Sequence, residues 1–141
     1  MIACKYTHGI NPNSRYIRER VFVEEQGFRE EFDELDAYVD TLVIYVDGVA
    51  AATGRLYEIL DDKPHTFKLG RIAVLKEYRH RGLGSLVLEN MRERAITCGA
   101  RHLYISAQCV AVPFYEKCGY TPYGNTYYEE HVEHISMMCD I

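Results

Sequence analysis

Leu69-Gly70-Arg71-Ile72-Ala73-Val74-Leu75-Lys76-Glu77-Tyr78-Arg79-His80-Arg81-Gly82-Leu83-Gly84-Ser85 reads as an apolar strand, a short basic turn and the start of a long amphipathic helix. Gly82 and Gly84 carry no Cβ, so main chain there can approach a ligand closely and adopt positive φ at little steric cost. The first-turn N–H groups of a helix have no partner inside it, and with the helix dipole they form a seat for an anion. Arg79 and Arg81 add fixed positive charge in a fork that matches phosphate oxygens. The stretch predicts a site for a phosphorylated ligand, although a basic turn before a Gly-rich helix start has the same pattern.

Two common phosphate sites are excluded. A dinucleotide fingerprint needs a third small residue and a later acidic residue within a βαβ unit, and Gly82-Leu83-Gly84-Ser85-Leu86-Val87 lacks that third glycine. A P-loop needs Gly-Lys-Ser or Gly-Lys-Thr, and neither triplet occurs.

Working outward, the helix that starts at Leu83 has a clear period. Leu83, Leu86, Val87, Met91, Ala95 and Cys98 share a face, and Gly99 closes it as a C-terminal cap. Upstream, Thr41 to Val46 is β-branched and apolar, Asp47-Gly48 is a hairpin signal, and a return strand runs from Val49 towards Ile59. Asp61-Asp62-Lys63-Pro64 makes the next turn and Thr66 to Leu75 a third strand. Met1 to Thr7 is a first strand, and Asn11-Pro12-Asn13-Ser14 caps a helix that runs to about Glu25, with Gly27 ending it. Downstream lie a strand over His102–Ala107, a short helix from Ala111 to Cys118, and two closing strands, Thr121 to Tyr128 and Val132 to Met138. The order is β-α-β-β-β-α-β-α-β-β, a mixed α/β (α+β) domain spanning residues 1–141. A helical crossover makes the strand at His102 parallel to the one ending at Leu75.

Between Glu24 and Asp40 eight acidic residues face only Arg29. This is either a solvated loop or an electronegative rim that concentrates a cationic ligand. The net charge of −5 argues against a dedicated nucleic-acid binder. The odd set Cys4, Cys98, Cys109, Cys118 and Cys139, with no C-x-x-C pair, fits neither a disulfide framework nor a zinc site, so a reducing cytoplasm is expected and no metal. No apolar run approaches the ~18 residues of a membrane span, and the N-terminal residues are too short and mixed for a signal peptide.

A second motif follows the strand at His102. Ala107-Gln108-Cys109-Val110-Ala111-Val112-Pro113-Phe114-Tyr115-Glu116-Lys117-Cys118-Gly119-Tyr120, together with Arg79-His80-Arg81-Gly82-Leu83-Gly84 some thirty residues earlier, resembles the GNAT superfamily of acetyl-CoA-dependent N-acetyltransferases. Val21-Phe22-Val23-Glu24-Glu25-Gln26, Ala107-Gln108, His134 and Met137-Met138 are similar to its YjcF/ElaA-like branch. The resemblance implies a mostly antiparallel sheet whose fourth and fifth strands splay apart to admit the pantetheine arm of acetyl-CoA. Ile72 and Val74 would bond that arm through main chain, the N–H of Ile72 or Ala73 would hold the oxyanion, and Arg79, His80, Arg81, Gly82, Leu83, Gly84 and Ser85 would receive the pyrophosphate. Tyr115 matches the tyrosine that protonates the departing thiolate.

The base is less defined, because Lys68 stands on the fourth strand where several members of the superfamily place a carboxylate or histidine. Glu25, Glu58 and His134 are the alternatives, with Glu25 preferred because the first helix borders the acceptor site in such folds; a water chain is another. An acyl-cysteine route through Cys109 or Cys118 lacks an activating neighbour in sequence. The expected partners are acetyl-CoA and a small primary amine such as a polyamine, aminosugar or amino-acid derivative. A non-catalytic CoA-thioester sensor and an enzyme for protein lysine or N-terminal amines are the other readings. The closing hairpin, with Tyr123, Tyr127 and Tyr128, is where a homodimer would form, although aromatic strand residues are equally ordinary core and cross-strand partners.

Overall fold

Alternation along the strands sorts side chains onto two faces. In the strand Asp40–Val46, Leu42 and Ile44 join the core cluster on one side, while Val43 joins a second cluster on the other. A sheet buried on both faces needs a helix on each. The computed structural model, which describes residues 1–60 and 63–141, has this arrangement. The strands are β1 (Ile2–His8), β2 (Asp40–Val46), β3 (Val49–Ile59), β4 (Thr66–Val74), β5 (His102–Gln108), β6 (Thr121–Glu129) and β7 (Val132–Asp140), and the α-helices α1 (Pro12–Arg18), α2 (Leu83–Thr97) and α3 (Val112–Lys117). They form one seven-stranded sheet in the order β1-β2-β3-β4-β5-β7-β6. Every neighbouring pair is antiparallel except β4–β5, which the crossover through α2 makes parallel.

The local reasons match the sequence. Asp47 and Gly48 both take positive φ (50° and 84°), as a type I′ hairpin requires. Asn11 caps α1 by accepting from the N–H groups of Asn13 and Ser14, and Pro12 occupies the first helical position. On α2, Leu83, Val87, Leu88, Met91 and Ala95 are buried against the sheet. Gly54 of β3 lets α2 come close: a Cβ there would lie 2.7 Å from Met91 Cε and 2.8 Å from Val87 Cγ1. Cys98, expected on the buried face, is exposed, because it is the residue at which α2 ends. Asp61 and Asp62 of the expected turn lie outside the described residues.

Two local features differ from expectation. The first helix does not remain α-helical to Glu25: from Glu19 to Glu25 it is a π-helix, with Gln26 N–H bonded to Val21 O at 3.2 Å. The wider coil buries the successive residues Val21 and Phe22 together. The acidic stretch is solvated only in part: Glu24, Glu25, Glu30, Asp33 and Glu34 are exposed. Glu31 and Asp36 are buried, and their countercharges come from elsewhere in the chain: Arg18 donates to Glu31 (2.9 Å) and Asp36 (2.6 Å), Arg55 to Asp33 and Asp36 (2.9 Å each), and Arg71 pairs with Glu31 (2.9 Å). The network ties α1, β3 and β4 to the segment between the π-helix and β2.

Candidate active site

The β4–β5 ladder lasts for three residue pairs, Thr66 with His102, Phe67 with Leu103 and Lys68 with Tyr104, and then the strands part. β4 stays laddered to β3 as far as Val74. Its edge facing β5 therefore has no strand partner from Leu69 to Val74 among the described residues. The parting is sharpened by an irregular register between Thr53 and Arg55 on β3 and by Arg71 at φ +53° on β4. The gap is a cleft of about 650 Å³. β4 from Lys68 to Val74 forms one wall, Ile105, Ser106 and Gln108 of β5 the other, and Phe114 and Tyr115 of α3 and Val21 and Phe22 of the π-helix close its sides.

At one end stands the glycine turn. Gly82 takes φ +77°, and the N–H groups of Leu83, Gly84 and Ser85 have no acceptor among the described residues; the first to find one is Leu86, with Gly82 O at 3.1 Å. A Cβ on Gly84 would sit 3.3 Å from the Phe114 ring. An unpaired strand edge leading to an open helix N-terminus fits a ligand with amides along its arm and phosphates at its end. His80 and Arg81 are exposed at this turn, with the Arg81 guanidinium 5.3 Å from the centroid of the Tyr78 ring. The Arg79 fork is already engaged: Nε donates to Val74 O (3.0 Å), and Nη1 and Nη2 donate to the Glu25 carboxylate (3.0 and 2.7 Å). Glu25, expected near the acceptor, thus stands at the glycine-turn end and is not part of the cleft lining. Glu58 is exposed on β3, also away from the cleft, and Lys68 stands at the fork with Nζ 5.6 Å from the centroid of the Tyr104 ring.

In mid-cleft the Tyr115 ring packs edge-on against Phe114 (5.2 Å) and Tyr120 (6.3 Å). Desolvation, with a lesser contribution from Cys118, pushes its phenol up to about 12, so it keeps its proton at neutral pH. Partial burial and the Glu133 carboxylate push the Cys109 thiol up, and Cys118 does not line the cleft, so neither is an activated nucleophile.

The other end is polar, and the sequence left most of it unread. The register places Ser106 opposite Ser136, Gln108 opposite His134 and Tyr127 opposite His134, so these side chains share one face. Ser106 donates to Glu129 Oε1 (3.1 Å) and receives the Tyr127 hydroxyl, and His134 Nε2 lies 3.3 Å from Glu129 Oε2. A roof covers this face. Glu130 accepts from the N–H groups of Arg29 (2.9 Å) and Glu30 (3.1 Å), His131 donates to Gln26 O (2.6 Å), Gln108 donates to the Gln26 side chain (2.8 Å), and Phe28 packs on both His131 and His134. The available signal was the alternation of polar residues in β5 and β7, Ser106 and Gln108 against His134 and Ser136.

Comparison with known proteins agrees with this geometry. Residues 14–141 match the family model described as an acetyltransferase (GNAT) domain. The chain is similar to the uncharacterized N-acetyltransferase YjcF of Bacillus subtilis, at 35% identity over 128 residues that cover 89% of each chain. Escherichia coli ElaA has the same fold at a TM-score of 0.84, with 23% identity over 99% of this chain and 100% of that one. So does a Bacillus subtilis acetyltransferase solved in complex with CoA, at a TM-score of 0.76 and 15% identity over 100% of this chain and 99% of that one.

Proposed function

Since this chain belongs to the GNAT acetyltransferase family and is accordingly an acyltransferase, we propose that it transfers the acetyl group of acetyl-CoA directly to the primary amine of a small cationic molecule. The observation that carries the reading is the cleft itself, which runs from open helix N–H groups, along an unpaired strand edge, to a roofed polar chamber. Binding of CoA by a neighbour of the same fold supports the same use of the cleft. In this reading the edge of β4 bonds the pantetheine amides through Ile72 and Val74, and the N–H groups of the turn hold the pyrophosphate. An N–H of Ile72 or Ala73 steadies the oxyanion. Tyr115, protonated and lining the cleft, gives its proton to the leaving sulfur.

The roof supports a small acceptor. Contacts from Glu130, His131 and Gln108 fasten residues 26–30 over the polar end, which suits an amine metabolite such as a polyamine, aminosugar or amino-acid derivative better than an extended peptide. Glu30 and Glu129 in the lining favour positive charge there. Five free thiols accord with a reducing cytoplasm as the place of action. The test is thiol release from acetyl-CoA by purified protein against polyamines, aminosugars, amino acids and lysine peptides. Release that depends on a small amine is expected. Release with peptides alone would replace the small-molecule acceptor, and acetyl-CoA-induced thermal stabilisation without turnover of any amine would leave a thioester-binding protein.

A further inference from the structure

We propose that His134, oriented by Glu129, takes the proton from the acceptor amine; the proposal rests on the N-acetyl transfer reading above. Transfer needs such a group. A basic amine arrives as an ammonium, so the sum is ammonium plus thioester giving amide, thiol and one proton. The N–C bond forms and the C–S bond breaks. The sulfur regains a proton, and the remaining one must leave the cleft.

The carboxylates near the cleft are mostly committed elsewhere. Glu25 is bonded to Arg79, Glu31 lies buried between Arg18 and Arg71, and Glu130 holds two backbone N–H groups. Glu30 is exposed, so solvent screens its pull on an ammonium. His134 differs from all of these. It is 4% exposed and lines the cleft. Its Nδ1 stands 2.9 Å from Val132 O, and because a carbonyl only accepts, Nδ1 carries the hydrogen and Nε2 is the working atom. Stacking with Tyr127 (6.1 Å, 23°) and the edge of Phe28 (6.5 Å) fixes the ring plane.

The Nε2 atom faces Glu129 Oε2 at 3.3 Å. Two acceptors at that separation demand a proton or a cation between them. An ammonium supplies both, donating one N–H to the carboxylate and another to Nε2. When the amine attacks, Nε2 keeps the proton, and the imidazolium so formed is already paired with Glu129. Ser106 holds the other Glu129 oxygen and is itself held by Tyr127, so the carboxylate is aimed rather than free to turn away. Glu129 is 44% exposed and hands the proton on to water. His134 is therefore assigned as the catalytic base and Glu129 as its positioning partner.

The experiment compares wild type, His134→Gln and Glu129→Gln on primary amines of graded basicity at one neutral pH, with acetyl-CoA-induced thermal stabilisation measured alongside. The expected result for His134→Gln is a loss of about 100-fold in kcat/KM on strongly basic amines and far less on amines already neutral at that pH, with the acetyl-CoA shift retained. Glu129→Gln, at a half-exposed position, is expected to raise KM for basic amines with the same bias. Equal rates in wild type and His134→Gln, or a loss independent of amine basicity in either variant, would overturn the assignment. Should His134→Gln fail to fold, Glu129→Gln decides alone by the same criterion. A wild type idle on every amine would instead overturn the transfer reading, and this proposal with it.

Discussion

Tyr115 is a phenol in mid-cleft whose proton is held until about pH 12 by desolvation. Tyr115→Phe should lower kcat about 100-fold while leaving the dissociation constant of acetyl-CoA, measured by calorimetry, nearly unchanged. No alkaline fall in rate below about pH 12 should then be traceable to this residue. Gly82 has the opposite role. At φ +77° it is strained for any L residue, and Gly82→Glu would also set a carboxylate beside the open N–H groups, so acetyl-CoA should cease to stabilise that variant against heat. Both positions were legible in the sequence because each lies within a contiguous motif. The tie between Arg79 and Glu25 was not, since it joins residues 54 apart and nothing local in either segment announces the other. Glu129 was unread for the same reason: its meaning depends on a strand register that brings β6 beside β7.

Among the elements, β3 and α2 meet more closely than ordinary side chains allow, and Gly54 is the cause. Gly54→Ala should destabilise the fold by about 1–3 kcal/mol, read as a lower denaturant midpoint, because Met91 and Val87 must shift within a packed layer. The order of strands and helices could be read from the sequence because hydrophobic period, Asp47-Gly48 and the glycine stops all act locally. The π-helix could not. Ile17, Val21 and Phe22 show an apolar face in either coil, and the choice is made by what they pack against, including Val43 of β2, Ala73 of β4 and Leu75 just beyond it. The parting of β4 from β5 was readable only through family resemblance, because the apolar residues of both strands would suit a fully paired sheet.

Across the whole molecule, Glu31, Asp33 and Asp36 of the acidic stretch and the arginines Arg18, Arg55 and Arg71 form one largely buried charge network. Burial pushes the Asp36 carboxyl up, but hydrogen bonds and charge from Arg18, the Asp33 N–H and Arg55 outweigh it and hold Asp36 at about 2. A depressed folded pKa contributes stability above the ordinary value of 3.8 that is lost as pH falls towards 2, on the order of 2 kcal/mol here. Glu31 works in the other sense. Desolvation, exceeding its arginine partners, raises it, so its contribution fades as pH rises and softens the acid limb. Asp36→Asn should flatten the fall in melting temperature between about pH 4 and 2 and cost about 3–5 kcal/mol at neutral pH, since Arg18 and Arg55 lose a buried partner. The roof over the polar chamber obeys a different logic. Glu130 grips residues 29 and 30 by their main-chain N–H groups, which every residue but proline presents alike. The clasp is thus indifferent to the spelling of the segment it holds, and side chains there are free to be exchanged for other acceptors while the lid stays shut.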